Sequence, residues 1–378
     1  MNLLAVVTLV GIGKVLTFLV MLSVLIVLHE FGHFVLARRN HVRVNEFAVG
    51  FGPRLASWTS PRSGTQYSLR AFPIGGFCAM EGEDGKVSEA EQQRSFRARH
   101  QDGDDNFQAK SPWQRLAIIL AGPIFNFLLC YAVLLTSAFA FGVASDKTNQ
   151  PVVGEVVASS PAEIAGIRPG DRIVAIDGST MITGKRLVDT IHASLGKRLD
   201  LVYARNGVRN EVYVTPRACP PQVGHNFGCI GFAPVPAYEH VSLGAAFADS
   251  GEQFVAIANQ TVDSVVLLVT QFAKYAPQIA GPIGMGQVAV TVQDWGWGPY
   301  FSLAATISFA LGLFNLLPIP ALDGGRAAFI IAELIRGRPV DPEKEAMVHL
   351  AGFAALMALI MLVAFHDIAR IVKGQGVM

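Results

Sequence analysis

The sequence predicts a polytopic α-helical membrane protein with four transmembrane helices, a membrane-associated β-hairpin and one inserted α+β domain. Three observations lead there. Of 378 residues, 51% are hydrophobic and only 16% charged, whereas about a quarter of a soluble domain is charged. Four apolar runs are long enough to cross about 30 Å of hydrocarbon. Between the second and third runs the pattern changes to short strands and capped helices. A net charge of +1 gives no electrostatic basis for binding nucleic acid. Four cysteines, none in a C-x-x-C pair, are too few for a disulfide scaffold.

The first run, residues 4–36 within a segment 1–37, is interrupted only by Lys14 and the group His29, Glu30 and His33. A cleaved signal peptide is not expected, because the positive cluster follows the apolar run and no A-x-A-like site is present. Residues 38–112 form a segment of two characters. Within 45–82, "TQYSLRAF" puts Tyr67, Leu69 and Ala71 on one face, and "SPRSG" at 60–64 is a turn, so a β-hairpin is expected. Residues 83–111 are polar and charged and read as a solvated linker.

The second run covers 115–142, in a helix expected at 113–142. Residues 150–236 form the soluble domain. There "VVGEVVA" is a strand, and "SSPAEIAGI" a short helix capped by Ser160, with Pro161 first and Gly166 as stop. "DRIVAIDG" is a second strand, "KRLVDTIHASLG" an amphipathic helix, and Asn206-Gly207 the turn of a hairpin. Residues 241–298 read as amphipathic helix and Gly-rich loop. The third run, 299–318, opens a segment 299–335, and the fourth covers 346–366.

Arg38, Arg39 and Arg43 follow the first run, Arg115 opens the second, and Arg326, Arg336 and Arg338 follow the third. By the positive-inside rule these ends are cytoplasmic. Both termini and the 150–236 domain then lie outside the cytoplasm, with any site at His29 toward the cytoplasmic side.

The chemistry sits in "HEFGH". On a helix, His29 and His33 lie one turn apart on one face, so their nitrogens can converge on one Zn²⁺ with Glu30 beside them as base, the H-E-x-x-H arrangement of zinc proteases. The location strengthens this reading, because ionisable groups in a span are unfavourable by about 2.5–3.5 kcal/mol each unless paired. A catalytic zinc needs a third protein ligand. The third run ends in "NLLPIPALDGG", and its Asp323 emerges on the same side as His29, after prolines that break the helix and before glycines that admit close backbone. Glu46 and Glu333 are alternatives.

Together "HEFGH", "AGPIFNF" and "NLLPIPALDGG" resemble the bacterial site-2 protease family of intramembrane zinc metalloproteases, nearest the regulator of sigma-E protease type. "VGFGPRL", "PIGGFCAMEGE", "FQAKSPWQR", "GPIGMGQVA" and "AFHDIARI" fit that subgroup as well. The resemblance implies zinc on His29, His33 and Asp323, catalysis by Glu30, and a substrate-positioning or helix-ordering role for Asn315. It also implies that 150–236 is a circularly permuted PDZ domain, present once where the enterobacterial type has two. The implied partners are the lipid bilayer of the inner membrane and transmembrane substrates, such as anti-sigma factors or signal-peptide remnants, with no nucleic acid.

The activity expected is hydrolysis of peptide bonds within transmembrane segments. A metal transporter and a catalytically inactive PDZ-bearing receptor are the alternatives. A helical substrate must unwind before it can be cut, and stranded backbone groups in lipid cost several kcal/mol each. Strand addition would satisfy them. The expected partner is Gln66, Tyr67, Ser68, Leu69, Arg70, Ala71 and Phe72, dipping into the membrane. Finally, Cys219 and Cys229 bracket "CPPQVGHNFGC" in the outside domain and are expected to form a disulfide.

Overall fold

The computed structural model describes residues 3–83, 105–144, 151–157, 160–181, 183–219, 227–234, 238–272, 281–338 and 340–372. Most of the linker expected at 83–111 lies outside them. The chain divides into two units: Met1–Leu134 with Gly251–Gln293 and Tyr300–Val372, and Leu135–Ser250 with Asp294–Pro299 and Lys373–Met378.

In the first unit, helix α1 spans Leu3–Arg39. It is apolar on all sides rather than along one stripe, as a helix in lipid must be. Arg38 and Arg39 complement the negative end of its dipole. The Asn40 side chain then donates to the Leu36 carbonyl at 2.8 Å, and the chain turns through His41 at φ 56°. Helix α2, Pro112–Phe141, starts with a reciprocal cap. Ser111 Oγ accepts from the Gln114 N–H and Gln114 Oε1 from the Ser111 N–H, with Pro112 in the first position.

Contacts along these helices fix their sense. His33 meets Ile118, Gly32 packs on Ala121, and His29 meets Asn126, so α1 and α2 are antiparallel. Helix α7, Trp297–Leu316, meets α2 in the same descending order, Ser308 on Asn126 and Gly312 on Pro123. It therefore runs parallel to α1. Helix α8, Asp323–Arg336, is tied to the start of α2 by a buried Arg115–Glu333 pair at 2.6 Å. Helix α9 is Pro342–Val372.

Among the described residues, five helices are long and apolar enough to cross a membrane: Gly11–Arg39, Pro112–Phe141, Leu243–Thr270, Trp297–Leu316 and Lys344–Arg370. Four coincide with the expected runs. The additional one, α5 (Leu243–Thr270), with the shorter α6 (Pro282–Asp294), takes the place of the amphipathic helix and loop expected at 241–298. Asp249, Glu252 and Asp263 interrupt the apolar run of α5.

Strands β1 (Val44–Thr59) and β2 (Gln66–Met80) each bend, so two strands make four sheet segments. Val44–Val49 pairs with Gly76–Met80 on one side and with Gln66–Leu69 on the other. Gln66–Leu69 also pairs with Ala56–Thr59. The bend in β1 falls at Gly50, at φ +86°, where a Cβ would lie 2.5 Å from the Phe72 carbonyl oxygen. The sheet exposes Phe51 (50%), Leu55 (68%), Trp58 (61%) and Phe72 (62%), a surface suited to lipid rather than water.

The second unit holds an α+β fold. Its four-stranded sheet has the order β6 (Ser179–Thr180), β5 (Arg172–Ile176), β7 (Leu199–Arg205), β8 (Val208–Val214). Strand β4 (Val153–Val156) pairs with β11 (Phe232–Pro234), β9 (Arg217–Ala218) with β10 (Gly228–Cys229), and β3 (Val143–Ala144) with β12 (Tyr238–Glu239). Helices α3 (Pro161–Ile164) and α4 (Gly184–His192) complete it. Ser160 caps α3 by accepting from the Glu163 N–H, and Asn206 and Gly207 turn the β7–β8 hairpin at positive φ. Val153, Ile173, Ile176, Leu187, Leu199 and Leu201 form its core. Cys219 and Cys229 are joined by a disulfide, while Cys78 and Cys130 in the first unit are free and buried.

Asp171, 1% exposed, takes a two-point ion pair from Arg205 at 2.7–2.8 Å and the Arg168 N–H at 2.8 Å. Burial pushes its carboxyl up, but Arg205 and the Arg168 amide outweigh that and hold it below the ordinary range. A depressed folded-state pKa contributes stability that is complete above the unfolded value, near 3.8, and lost as pH falls through the folded one. Asp171→Asn should destabilise this unit by about 1.5–3 kcal/mol at pH 7 and remove that acid-side loss. Hydrogen exchange at the β4 and β5 amides of the solubilised protein, followed from pH 7 to 3, measures both effects.

Candidate metal centre

Three buried acceptors meet between α1 and the start of α8. His29 Nε2 lies 3.0 Å from Asp323 Oδ2, His33 Nε2 lies 3.3 Å from the same oxygen, and the two Nε2 atoms are 3.2 Å apart. The one-turn spacing of the histidines puts both rings on one face of α1. Asp323 reaches them because α7 ends at Leu316, and the prolines turn the chain back so that α8 begins beside the site. Gly324 packs on the Leu316 and Leu317 carbonyls with no room for a Cβ.

His33 donates Nδ1–H to the Ile118 carbonyl at 2.9 Å, which leaves Nε2 as a lone pair. It therefore faces a carboxylate oxygen with no hydrogen between them, and Asp323 Oδ2 is buried without a hydrogen-bond partner among the described residues. Lone pairs converging away from water are unfavourable unless a cation lies among them. Two imidazoles and a carboxylate are a ligand set suited to zinc, so the residues fit that ion.

Glycine makes the site sterically possible. A Cβ on Gly122 of α2 would collide with His33 Nε2 and lie 2.7 Å from His29 Nε2. One on Gly32 would strike the Ala121 carbonyl oxygen at 2.5 Å. Glu30 shares the α1 turn with the histidines, and its Oε2 accepts the Cys78 N–H at 3.1 Å. An outward backbone donor of the Gly76–Met80 strand segment thus points at the carboxylate expected to act as base.

The alternative ligands are engaged elsewhere. Glu46 accepts from Ser68, Arg54 and Arg70. Despite the desolvation of burial, these bonds hold its carboxyl below the ordinary range. Glu333 is paired with Arg115. Asn315 donates its amide to the Leu311 carbonyl of its own helix at 3.0 Å.

The expected strand partner is corrected. Gln66, Tyr67, Ser68 and Leu69 are interior, paired on both sides, so they have no edge to offer. Beyond them, Arg70 pairs with Arg54 and Phe72 with Phe51, with Ala71 between. The sequence showed the alternation but not that β1 folds back to cover this segment twice. Gly122, Asn126 and the Cys78 amide were missed. The available signal was "AGPIFNF", small and polar residues four apart inside an apolar span.

Two histidines and an aspartate converging among membrane-length helices, with a glutamate alongside, define a metallohydrolase of the H-E-x-x-H class. The sequence profile of peptidase family M50 matches residues 17–359. The chain is 32% identical to the zinc metalloprotease RasP of Bacillus licheniformis, over 95% of this chain and 99% of the relative. It is 29% identical to the regulator of sigma-W protease RasP of Bacillus subtilis, over the same shares. A solved PDZ domain of the SdrC-like protein from Listeria monocytogenes matches 25% of this chain and 92% of its own, at 23% identity and a TM-score of 0.21. The chain belongs to peptidase family M50. It is a zinc metalloprotease and a multi-pass membrane protein.

Proposed function

We propose that this protein cleaves peptide bonds within transmembrane segments of other membrane proteins, with His29, His33 and Asp323 as zinc ligands and Glu30 as the catalytic base. The observation that carries the proposal is the convergence of His29, His33 and Asp323 within 3.3 Å beside Glu30, against a strand edge. When bound, zinc supplies Lewis acidity to the scissile carbonyl and lowers the pKa of water. Glu30 takes the proton from the attacking water and delivers it to the leaving amine. The helices around the site exclude bulk water, and Gly122 leaves the two rings unobstructed.

Four crossings account for the topology, with α5 not a net crossing. The parallel sense of α1 and α7 requires an even number of crossings between α2 and α7. Helix α6 has 13 residues, about 20 Å, too short to return α5 across about 30 Å of hydrocarbon. Phe254 and Ile257 of α5 pack on Cys130, Leu134, Ala305 and Phe309, which supports a helix leaning on the bundle. The arginines at the ends nearest the site support a cytoplasmic-side active centre in the inner membrane. Both termini and one PDZ domain then lie outside the cytoplasm. The name of the Bacillus subtilis relative supports anti-sigma factors as the substrate type, with signal-peptide remnants a second.

The substrate, once unwound, adds as a strand to Gly76–Met80. Among the described residues this segment has one partner strand, on its inner side, and its outer side carries the amide that reaches Glu30. Proline removes one donor while leaving an edge strand in place. Cys78→Pro, which removes both this edge donor and the bond it makes to Glu30, should therefore lower cleavage of a model membrane peptide at least tenfold with zinc retained. Phe77→Pro, which removes an inward donor to β1, should instead destabilise the sheet. Full turnover by a folded, zinc-loaded Cys78→Pro would rule out this edge.

A further inference from the structure

Asn126 lies in the middle of apolar α2, with no exposed surface; its carboxamide Nδ2 sits 3.1 Å from His29 Nδ1, and its Oδ1 is buried with no hydrogen-bond partner among the described residues. Burying an amide in a span is unfavourable unless a specific partner uses it. Its backbone is fixed too, since its carbonyl accepts the buried Ser308 hydroxyl of α7 at 2.8 Å.

We propose that Asn126 is a positioning residue for the metal centre: with the ion bound its amide is turned over, so that the carboxamide oxygen accepts the Nδ1–H of His29 and commits the Nε2 lone pair to the ion. This rests on the ligand assignment made above. With the NH₂ facing Nδ1, as it does here, the imidazole proton sits on Nε2, pointing at Asp323 and His33 where a ligand must present a lone pair. Only the oxygen-inward orientation is compatible with ligation. A histidine ligand held from behind by an acceptor is also more basic and fixed in rotation. His33 has the same device in the Ile118 carbonyl. Ile118, Gly122 and Asn126 are spaced by four along one face of α2. The first aims His33, the second leaves room, and the third aims His29.

The test uses the full chain in detergent, with zinc affinity by chelator competition and the visible spectrum after cobalt substitution. Asn126→Leu, similar in size but without an acceptor, should weaken zinc binding 10- to 100-fold and shift the cobalt bands. Asn126→Asp, which keeps the acceptor, should stay within about threefold of wild type. If leucine yields no folded protein, Asn126→Ala is read in its place. Wild-type affinity and spectrum in the acceptor-free variant would overturn the proposal, as would an equal loss in Asn126→Asp. His29→Ala keeps the two readings apart. Full zinc binding there overturns the ligand assignment itself, whereas loss there with none in Asn126→Leu overturns only the role of Asn126.

Discussion

Gly122→Ala is expected to empty the metal centre and abolish cleavage in a protein that still folds. The added methyl would overlap His33 Nε2 and sit 2.7 Å from His29 Nε2, atoms proposed to hold the ion. Neither ring can retreat, because His33 is tied to the Ile118 carbonyl and His29 lies against Asn126. Drawing α2 back as a unit would open the close contact of Gly32 on the Ala121 carbonyl. One methyl should therefore lower zinc affinity at least a hundredfold, beyond the usual effect of a residue outside the ligand set. Alanine is the better helix former by about 1 kcal/mol, which offsets part of an overpacking cost of about 1–3 kcal/mol, so the protein should still fold. Metal content together with thermal unfolding distinguishes this from simple misfolding.

Glu30→Gln is expected to behave in the opposite way, keeping zinc and losing turnover. Glutamine is isosteric and still accepts the Cys78 N–H, so the α1–β2 contact survives. It cannot take a proton from water at neutral pH, and loss of such a group costs about 10²- to 10⁴-fold. A metal transporter would lose no function through this change, and an inactive receptor would show no cleavage to lose. Side-by-side peptide cleavage and metal analysis of the variant therefore separates the enzyme from both alternatives.

Much of this was legible in the sequence because the membrane imposes strong rules. A span must be long and apolar, so α1, α2, α7 and α9 stood out, and ionisable groups inside a span demand a reason. That exposed His29, Glu30 and His33. The prolines and glycines around Asp323 marked a broken helix that could return to them. What stayed hidden depends on contacts between distant segments. Gly122 is one glycine among 37 until α1 is laid against α2. The alternation at Gln66–Phe72 identified a strand, yet period two cannot say which strand is interior. Helix α5 is less legible because its acidic residues dilute an apolar run that would otherwise resemble the others.

The central claim is that His29, His33 and Asp323 hold one zinc that Glu30 uses for hydrolysis. It is tested most directly by measuring zinc stoichiometry and cleavage of a membrane-embedded peptide in the same preparations of wild type, Glu30→Gln and Asp323→Ala. The account predicts one zinc per chain with cleavage in wild type, one zinc without cleavage in Glu30→Gln, and loss of both in Asp323→Ala. Full zinc occupancy and wild-type turnover in Asp323→Ala would contradict it.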